Sequence, residues 1–312
     1  MGKIACVFPG QGSQAVGMGK SLHDSYEIAR DTFVQIDNVA GQDLSTMCFQ
    51  GAEADLKRTI NTQPTILAAS LAAWAAFQQQ SGITPDYVAG HSLGEITALV
   101  AAGALSIADA VRLVQKRATL MENCDKGAMT AVLAMPKETL EIVCKDASTD
   151  EEIVVIANLN TRDQLVISGN PEAVARAGAL VKERGGKAIP LPVGGAFHSP
   201  LMSPAAREFE TALSKCTFKD ASCPVVQNVD AEPKTSGDAL KATLAKQMES
   251  PVRWVEIVER LASLGVDTII EIGPGKVLTG LIKKIDKNIQ LINVSDSDSL
   301  KAAVDQLKQV AV

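Results

Sequence analysis

Apolar and polar positions along this 312-residue chain switch repeatedly between a strand-like and a helix-like period. Short apolar runs, Ile4-Ala-Cys-Val-Phe8 and Tyr87-Val-Ala89, read as buried strands; the first is stopped by Pro9. Helical patterns lie around 17–37, 53–60 and 64–80. Leu93 to Ala102 predicts another helix, and Ser106 with Asp109 three residues on predicts the capped start of the next. Strands alternating with helices imply an α/β protein with a mostly parallel sheet.

The middle of the chain changes character. From Ala128 the pattern predicts strand 128–134, helix 136–146, strand 153–159, strand 164–168, helix 171–184 and strand 187–192. That β-α-β-β-α-β order is the ferredoxin-like split unit. Gly127 and Gly194-Gly195 bracket it like hinges. The larger pattern then resumes, with strands at 225–229, 267–272 and 289–294. The expected organisation is a large domain of residues 1–126 and 197–312 with a small domain, 127–196, inserted.

Composition narrows the function classes. Apolar residues make up 46% and charged residues 21%, as in packed globular proteins. A net charge of -6 and few aromatics (Phe 7, Trp 2, Tyr 2) argue against nucleic acid as a partner. The most apolar run, Pro64 to Phe77, falls short of the ~20 residues of a membrane span and reads as a buried Ala-rich helix. The N-terminus lacks a signal-peptide pattern, and six scattered cysteines show no metal spacing. A cytoplasmic protein without a metal is expected.

Chemistry concentrates in a few residues. Gly90-His-Ser92-Leu-Gly94 follows a predicted strand and opens a predicted helix, the context of a nucleophile elbow. Ser92 needs a base, and the chain has 3 histidines. His91 adjoins the serine and points away from the attack direction; His23 reads as a surface or packing residue. His198 lies in a loop rejoining the large domain and remains by elimination. Gly10-Gln-Gly-Ser-Gln-Ala15 fits a dinucleotide fingerprint, but no acid ends a strand some 20 residues on. Its other reading brings Gln11, or its N–H, beside Ser92 as part of an oxyanion hole. At ~100° per residue from Ile107, Arg117 falls at about 280°, on the edge of an apolar stripe. A guanidinium there needs an anion, either a protein carboxylate or one carried by a substrate.

Taken together, these pieces resemble the malonyl-CoA:acyl carrier protein transacylases of bacterial fatty-acid synthesis. The resemblance rests on Phe8-Pro-Gly-Gln-Gly-Ser-Gln14, Gly90-His-Ser-Leu-Gly-Glu95, Arg117, Ala196-Phe-His-Ser-Pro-Leu-Met202, Gln247 ahead of Pro251-Val-Arg-Trp254, and Glu271-Ile-Gly-Pro-Gly-Lys-Val-Leu278, in family order. It implies a hydrolase-like large domain with an inserted ferredoxin-like small one. Malonyl-CoA is then the substrate, with no tightly bound cofactor, and holo acyl carrier protein the partner. Ser92 carries the malonyl group and His198 is the base, oriented through the backbone carbonyl of Gln247. Gln11 and the Leu93 N–H form the oxyanion hole, and Arg117 grips the malonyl carboxylate. Phe197 stands in a loop form associated with synthase-embedded malonyl-selective acyltransferases, and implies a narrowed pocket at the substrate's α-carbon. The family's carriers are acidic, which makes Lys276, Lys283, Lys284 and Lys287 docking candidates. The alternative is a serine esterase or thioesterase built on the same Ser-His pair.

Overall fold

The protein, seen here in a computed structural model, is described for residues 2–124 and 127–310. The strands in chain order are β1 (Lys3–Phe8), β2 (Tyr87–Gly90), β3 (Ala128–Leu133), β4 (Val154–Thr161), β5 (Gln164–Gly169), β6 (Lys187–Pro190), β7 (Val225–Val226), β8 (Pro233–Lys234), β9 (Val266–Ile272) and β10 (Gln290–Val294). Six form one sheet in the order β10–β9–β1–β2–β7–β8, parallel except for the short edge strand β8. Its central strands are buried on both faces: Ala5, Cys6, Val7 and Phe8 have no exposed surface. Continuous apolar runs are what helices on both faces require of a parallel strand. The helix Thr59–Ser81 covers one face, with Ile66, Ala68, Ala72, Ala76 and Phe77 buried. The helix Trp254–Ser263 packs Trp254, Ile257, Val258 and Leu261 on the other.

β1 and β2 end together, Phe8 opposite Gly90. The loops that follow them therefore open at one carboxyl end of the sheet, where α/β proteins bind ligands. The remaining four strands make a separate antiparallel sheet in the order β4–β5–β3–β6. Two helices, Lys137–Ala147 and Pro171–Glu183, bury Leu140, Val143, Val174 and Val181 against it. This is the expected ferredoxin-like unit beside a hydrolase-like sheet. Backbone bonds join the two: Leu159 donates to the Val252 carbonyl (2.9 Å), and Val252 donates to that of Ala157 (2.8 Å). The domain boundary expected at 126/127 meets residues 125–126, which lie outside the described residues.

Several elements differ from their sequence patterns; the helix expected at 53–60, for one, ends at Lys57, with Arg58 extended before the next begins. The 17–37 pattern is two helices, Lys20–Ser25 and Glu27–Ala40, separated at Tyr26, which is extended. The 64–80 helix begins at Thr59, five residues before the proline that resembles a start signal. The Glu122 carboxylate takes the Ile60 N–H (3.2 Å) and the Arg58 guanidinium (3.0 Å), so a distant residue secures that end. The strand expected at 225–229 stops after Val226. Beyond it the Asn228 N–H leaves the ladder for the buried Glu95 carboxylate (2.6 Å).

Candidate active site

β2 turns into the helix Leu93–Ala101 through Ser92, whose φ of 52° is rare for a residue with a Cβ. The flanking glycines are required sterically. A Cβ at Gly90 would lie 1.9 Å from the Gly94 carbonyl carbon, and one at Gly94 would lie 2.0 Å from the Phe8 carbonyl oxygen. The same crowding brings in the loop after β1, where a Cβ at Gly10 would lie 2.3 Å from the His91 carbonyl oxygen. Gln11 lines the cleft together with Ser92 and Leu93. Among the described residues, no protein acceptor takes the Gln11 or Leu93 N–H.

Ser92 Oγ lies 2.8 Å from His198 Nε2. His198 Nδ1 faces two carbonyl oxygens, those of Gln247 (3.0 Å) and Ser250 (3.1 Å). Carbonyls only accept, so the ring proton sits on Nδ1 and Nε2 is free to take the serine proton. Burial, reinforced by the nearby Arg117 charge, lowers the His198 pKa to about 3, which keeps the imidazole neutral.

Arg117 is 1% exposed. Its Nη1 donates to Gln63 Oε1 (2.7 Å); its Nη2 donates to Ser92 Oγ (2.9 Å) and Gln247 Oε1 (3.0 Å). All three partners are uncharged oxygens, and the buried Nε has none among the described residues. Of the two anions considered for it, no carboxylate of the described residues is in contact; Glu95 acts only through space, and burial lowers the Arg117 pKa to about 10. Glu95 is itself fully buried, and desolvation raises its pKa to about 7 against the bonds it accepts.

The structure thus gathers Gln11, Ser92, Leu93, Arg117, Phe197 and His198 around a cleft of about 170 Å³. Gln247 lies beneath it, fully buried. Met121, Met129, Val166, Leu191 and Val193 complete its apolar wall with Phe197. His91 points into the cleft wall, where Nε2 meets Asn160 Oδ1 of β4 at 2.8 Å. His23 packs by its ring against Phe33 and Phe49, as a packing residue should.

Sequence reasoning missed Gln63, Ser250, Asn160 and Asn228. Gln63, buried inside an apolar helix, was the one with a local signal, because a buried amide needs a polar partner. The Glu271 motif proves to be a helix anchor: its carboxylate accepts the N–H groups of Leu278 (3.0 Å) and Thr279 (2.7 Å). Lys276, Lys283, Lys284 and Lys287 are all exposed. Among the described residues, no group of His, Cys, Asp and Glu is arranged to hold a metal ion, and no helix is long and apolar enough to cross a membrane.

A serine elbow facing a neutral histidine over a parallel sheet defines an acyl-transferring serine enzyme of the α/β class. The chain belongs to the acyl transferase domain family, whose model matches residues 5–303. It is 46% identical to the malonyl CoA-acyl carrier protein transacylase of Bacillus subtilis (strain 168), over 99% of this chain and 98% of that protein. The protein of the same name from Escherichia coli (strain K12) is 42% identical, over 98% and 100%. A crystal structure of an acyl carrier protein S-malonyltransferase from Vibrio cholerae superimposes with a TM-score of 0.93 at 44% identity, covering 96% of this chain and 99% of that one. A type II PKS acyl-carrier protein in complex with its malonyl-transacylase gives 0.94 at 40% identity, covering 97% and 99%.

Proposed function

We propose that this protein moves a malonyl group from malonyl-CoA to the phosphopantetheine thiol of holo acyl carrier protein, through a malonyl ester on Ser92. The observation that carries the reading is Arg117: among the described residues, a buried cation with only uncharged partners and a free Nε, 2.9 Å from Ser92 Oγ. A hydrolase of neutral esters has no use for it. A substrate with a second carboxylate does.

The chemistry runs as a double displacement. Ser92 Oγ gives its proton to His198 Nε2 and bonds to the thioester carbonyl carbon. The oxygen charge is met by the N–H groups of Gln11 and Leu93. When the C–S bond breaks, the proton on His198 passes to the coenzyme A sulfur. The carrier thiol then gives its proton to His198 and attacks the ester; the C–O bond breaks and Ser92 takes the proton back. Gln247 holds the His198 Nδ1–H through its carbonyl. Removing one oxyanion donor costs roughly 10²–10³ in rate, so the hole carries a large share of catalysis. Phe197 narrows the pocket beside the malonyl α-carbon and disfavours a branched acyl group.

The reading assigns residues 1–126 and 197–312 to the catalytic domain and 127–196 to the inserted one. It needs no tightly bound cofactor, and it places the enzyme in the cytoplasm with fatty-acid synthesis, where its carrier is. Mass spectrometry after mixing with malonyl-CoA tests it: one malonyl group on the Ser92 peptide is expected. The adduct should pass to a pantetheine thiol faster than to water; the reverse preference points to an esterase or thioesterase instead.

A further inference from the structure

Ser92 is held by more than its own turn. Three peptide planes lie in the elbow, and each can rotate. The Asn228 side chain accepts the Ser92 N–H at Oδ1 (2.7 Å) and donates from Nδ2 to the Gly90 carbonyl (2.7 Å). It therefore fixes the planes on both sides of His91. Gln247 Nε2 donates to the Ser92 carbonyl (2.9 Å), fixing the third plane, which also carries the Leu93 N–H. A residue at φ 52° stores strain of order 1–3 kcal/mol and keeps that conformation only where its surroundings impose it.

Asn228 is fixed in turn. Its N–H bonds Glu95 Oε2 (2.6 Å), its carbonyl accepts the Arg253 N–H (3.2 Å), and its side chain has no exposed surface. Its position follows from register. Ala89 pairs with Val226, so two residues on, past the end of β7, Asn228 comes level with His91 of the elbow. Glu95, three residues into its helix, turns back beneath that elbow.

We propose that Asn228 is a positioning residue for acyl transfer, stapling the Ser92 elbow in its reactive conformation, and that Glu95 acts partly through it, alongside its bonds to Gln227 (3.4 Å) and Gln247. Asn228 touches no reacting atom in this arrangement. It sets where Ser92 Oγ points relative to His198 Nε2 and holds the peptide that leads to the Leu93 N–H. The inference rests on the malonyl-transfer reading for its substrate but not for its nucleophile.

The test uses Asn228→Ala, Asn228→Leu (which keeps the volume), Glu95→Ala, and the Asn228→Ala/Glu95→Ala double variant. Rates are scored per mole of folded protein. Two are compared: malonyl transfer from malonyl-CoA, and labelling of Ser92 by a small fluorophosphonate, which offers Arg117 no carboxylate and does not involve the carrier. Asn228→Ala and Asn228→Leu should each lower kcat and the labelling rate about 30-fold, roughly 2 kcal/mol, with KM for malonyl-CoA within about twofold. Glu95→Ala should lower both about fivefold, and the loss in the double variant should fall short of the product of the two single losses. Wild-type labelling in a folded Asn228 variant overturns the proposal, as does a loss confined to KM or a multiplicative double variant. If neither Asn228 variant folds, unchanged labelling in Glu95→Ala overturns the Glu95–Asn228 arrangement. A wild-type Ser92 that reacts with the fluorophosphonate but not with malonyl-CoA sinks the substrate reading alone, and the labelling ratios still decide Asn228.

Discussion

Arg117 Nη2 donates to Ser92 Oγ at 2.9 Å, so a buried cation sits directly on the serine of the elbow. The same guanidinium contacts Gln247, whose carbonyl orients His198. Ser92, Arg117, Gln247 and His198 therefore belong to one hydrogen-bond network, in which the proposed function has recognition of the acyl group and activation of the serine coupled.

Arg117→Ala should separate them. Malonyl transfer is expected to fall by at least about 100-fold, because charge-assisted bonds to a desolvated carboxylate are lost. Acetyl transfer, which offers no second charge, should hold or improve. Steady-state assays with malonyl-CoA and acetyl-CoA give both numbers, and equal loss of the two would show that Arg117 only supports the fold.

His198 makes stability depend on acid. Its folded pKa of about 3 lies below the ordinary 6.5, so between those values the unfolded chain binds the extra proton. Stability is therefore lost as pH falls through that window, by up to about 1.4 kcal/mol per pH unit. Urea unfolding at several pH values between 4 and 8 should show His198→Gln gaining on the wild type as the solution is acidified. A constant difference between the two proteins would contradict the buried neutral imidazole.

Two glycines should respond oppositely to alanine. At Gly94 the added Cβ meets backbone at 2.0 Å, and the cost should reach about 2–3 kcal/mol with loss of activity. Gly280 lies within the helix Val277–Ile285, with no atom within 4 Å of a built Cβ. There alanine should stabilise by about 0.5–1 kcal/mol. Thermal unfolding of the two variants checks both signs.

Lys283 and Lys284 sit in the last turn of that helix, exposed, on a chain of net charge -6. A locally basic surface of this kind speeds encounter with an acidic carrier. Replacing both by glutamate should lower kcat/KM for the carrier step about tenfold at low salt, with the gap narrowing as salt rises. Malonylation of Ser92 by malonyl-CoA should be unaffected. A carrier step that ignores the charge reversal would move the docking surface elsewhere.

Local chemistry in the chain was enough to locate the elbow. The strand 87–89, the glycines at 90 and 94 and the helix after them are sterically bound to one another, so the pattern carries the conformation. The alternation of the insert likewise sufficed for its β-α-β-β-α-β order, because a period of two or 3.6 is written residue by residue. What the chain could not reveal is which distant groups close on that elbow. Glu122 securing a helix more than sixty residues away, Asn228 leaving its strand for Glu95, and the carbonyls of Gln247 and Ser250 holding His198 are long-range pairings. Backbone carbonyls have no sequence identity at all, and a buried amide finds its partner only when helices and strands pack. By itself the sequence determined the turn at Ser92 and singled out Ser92 and His198, which the fold brings within 2.8 Å of each other. Only the tertiary structure decided that, among the described residues, Arg117 meets uncharged oxygens and no carboxylate, because that depends on what surrounds it in space and not on where it lies along the chain.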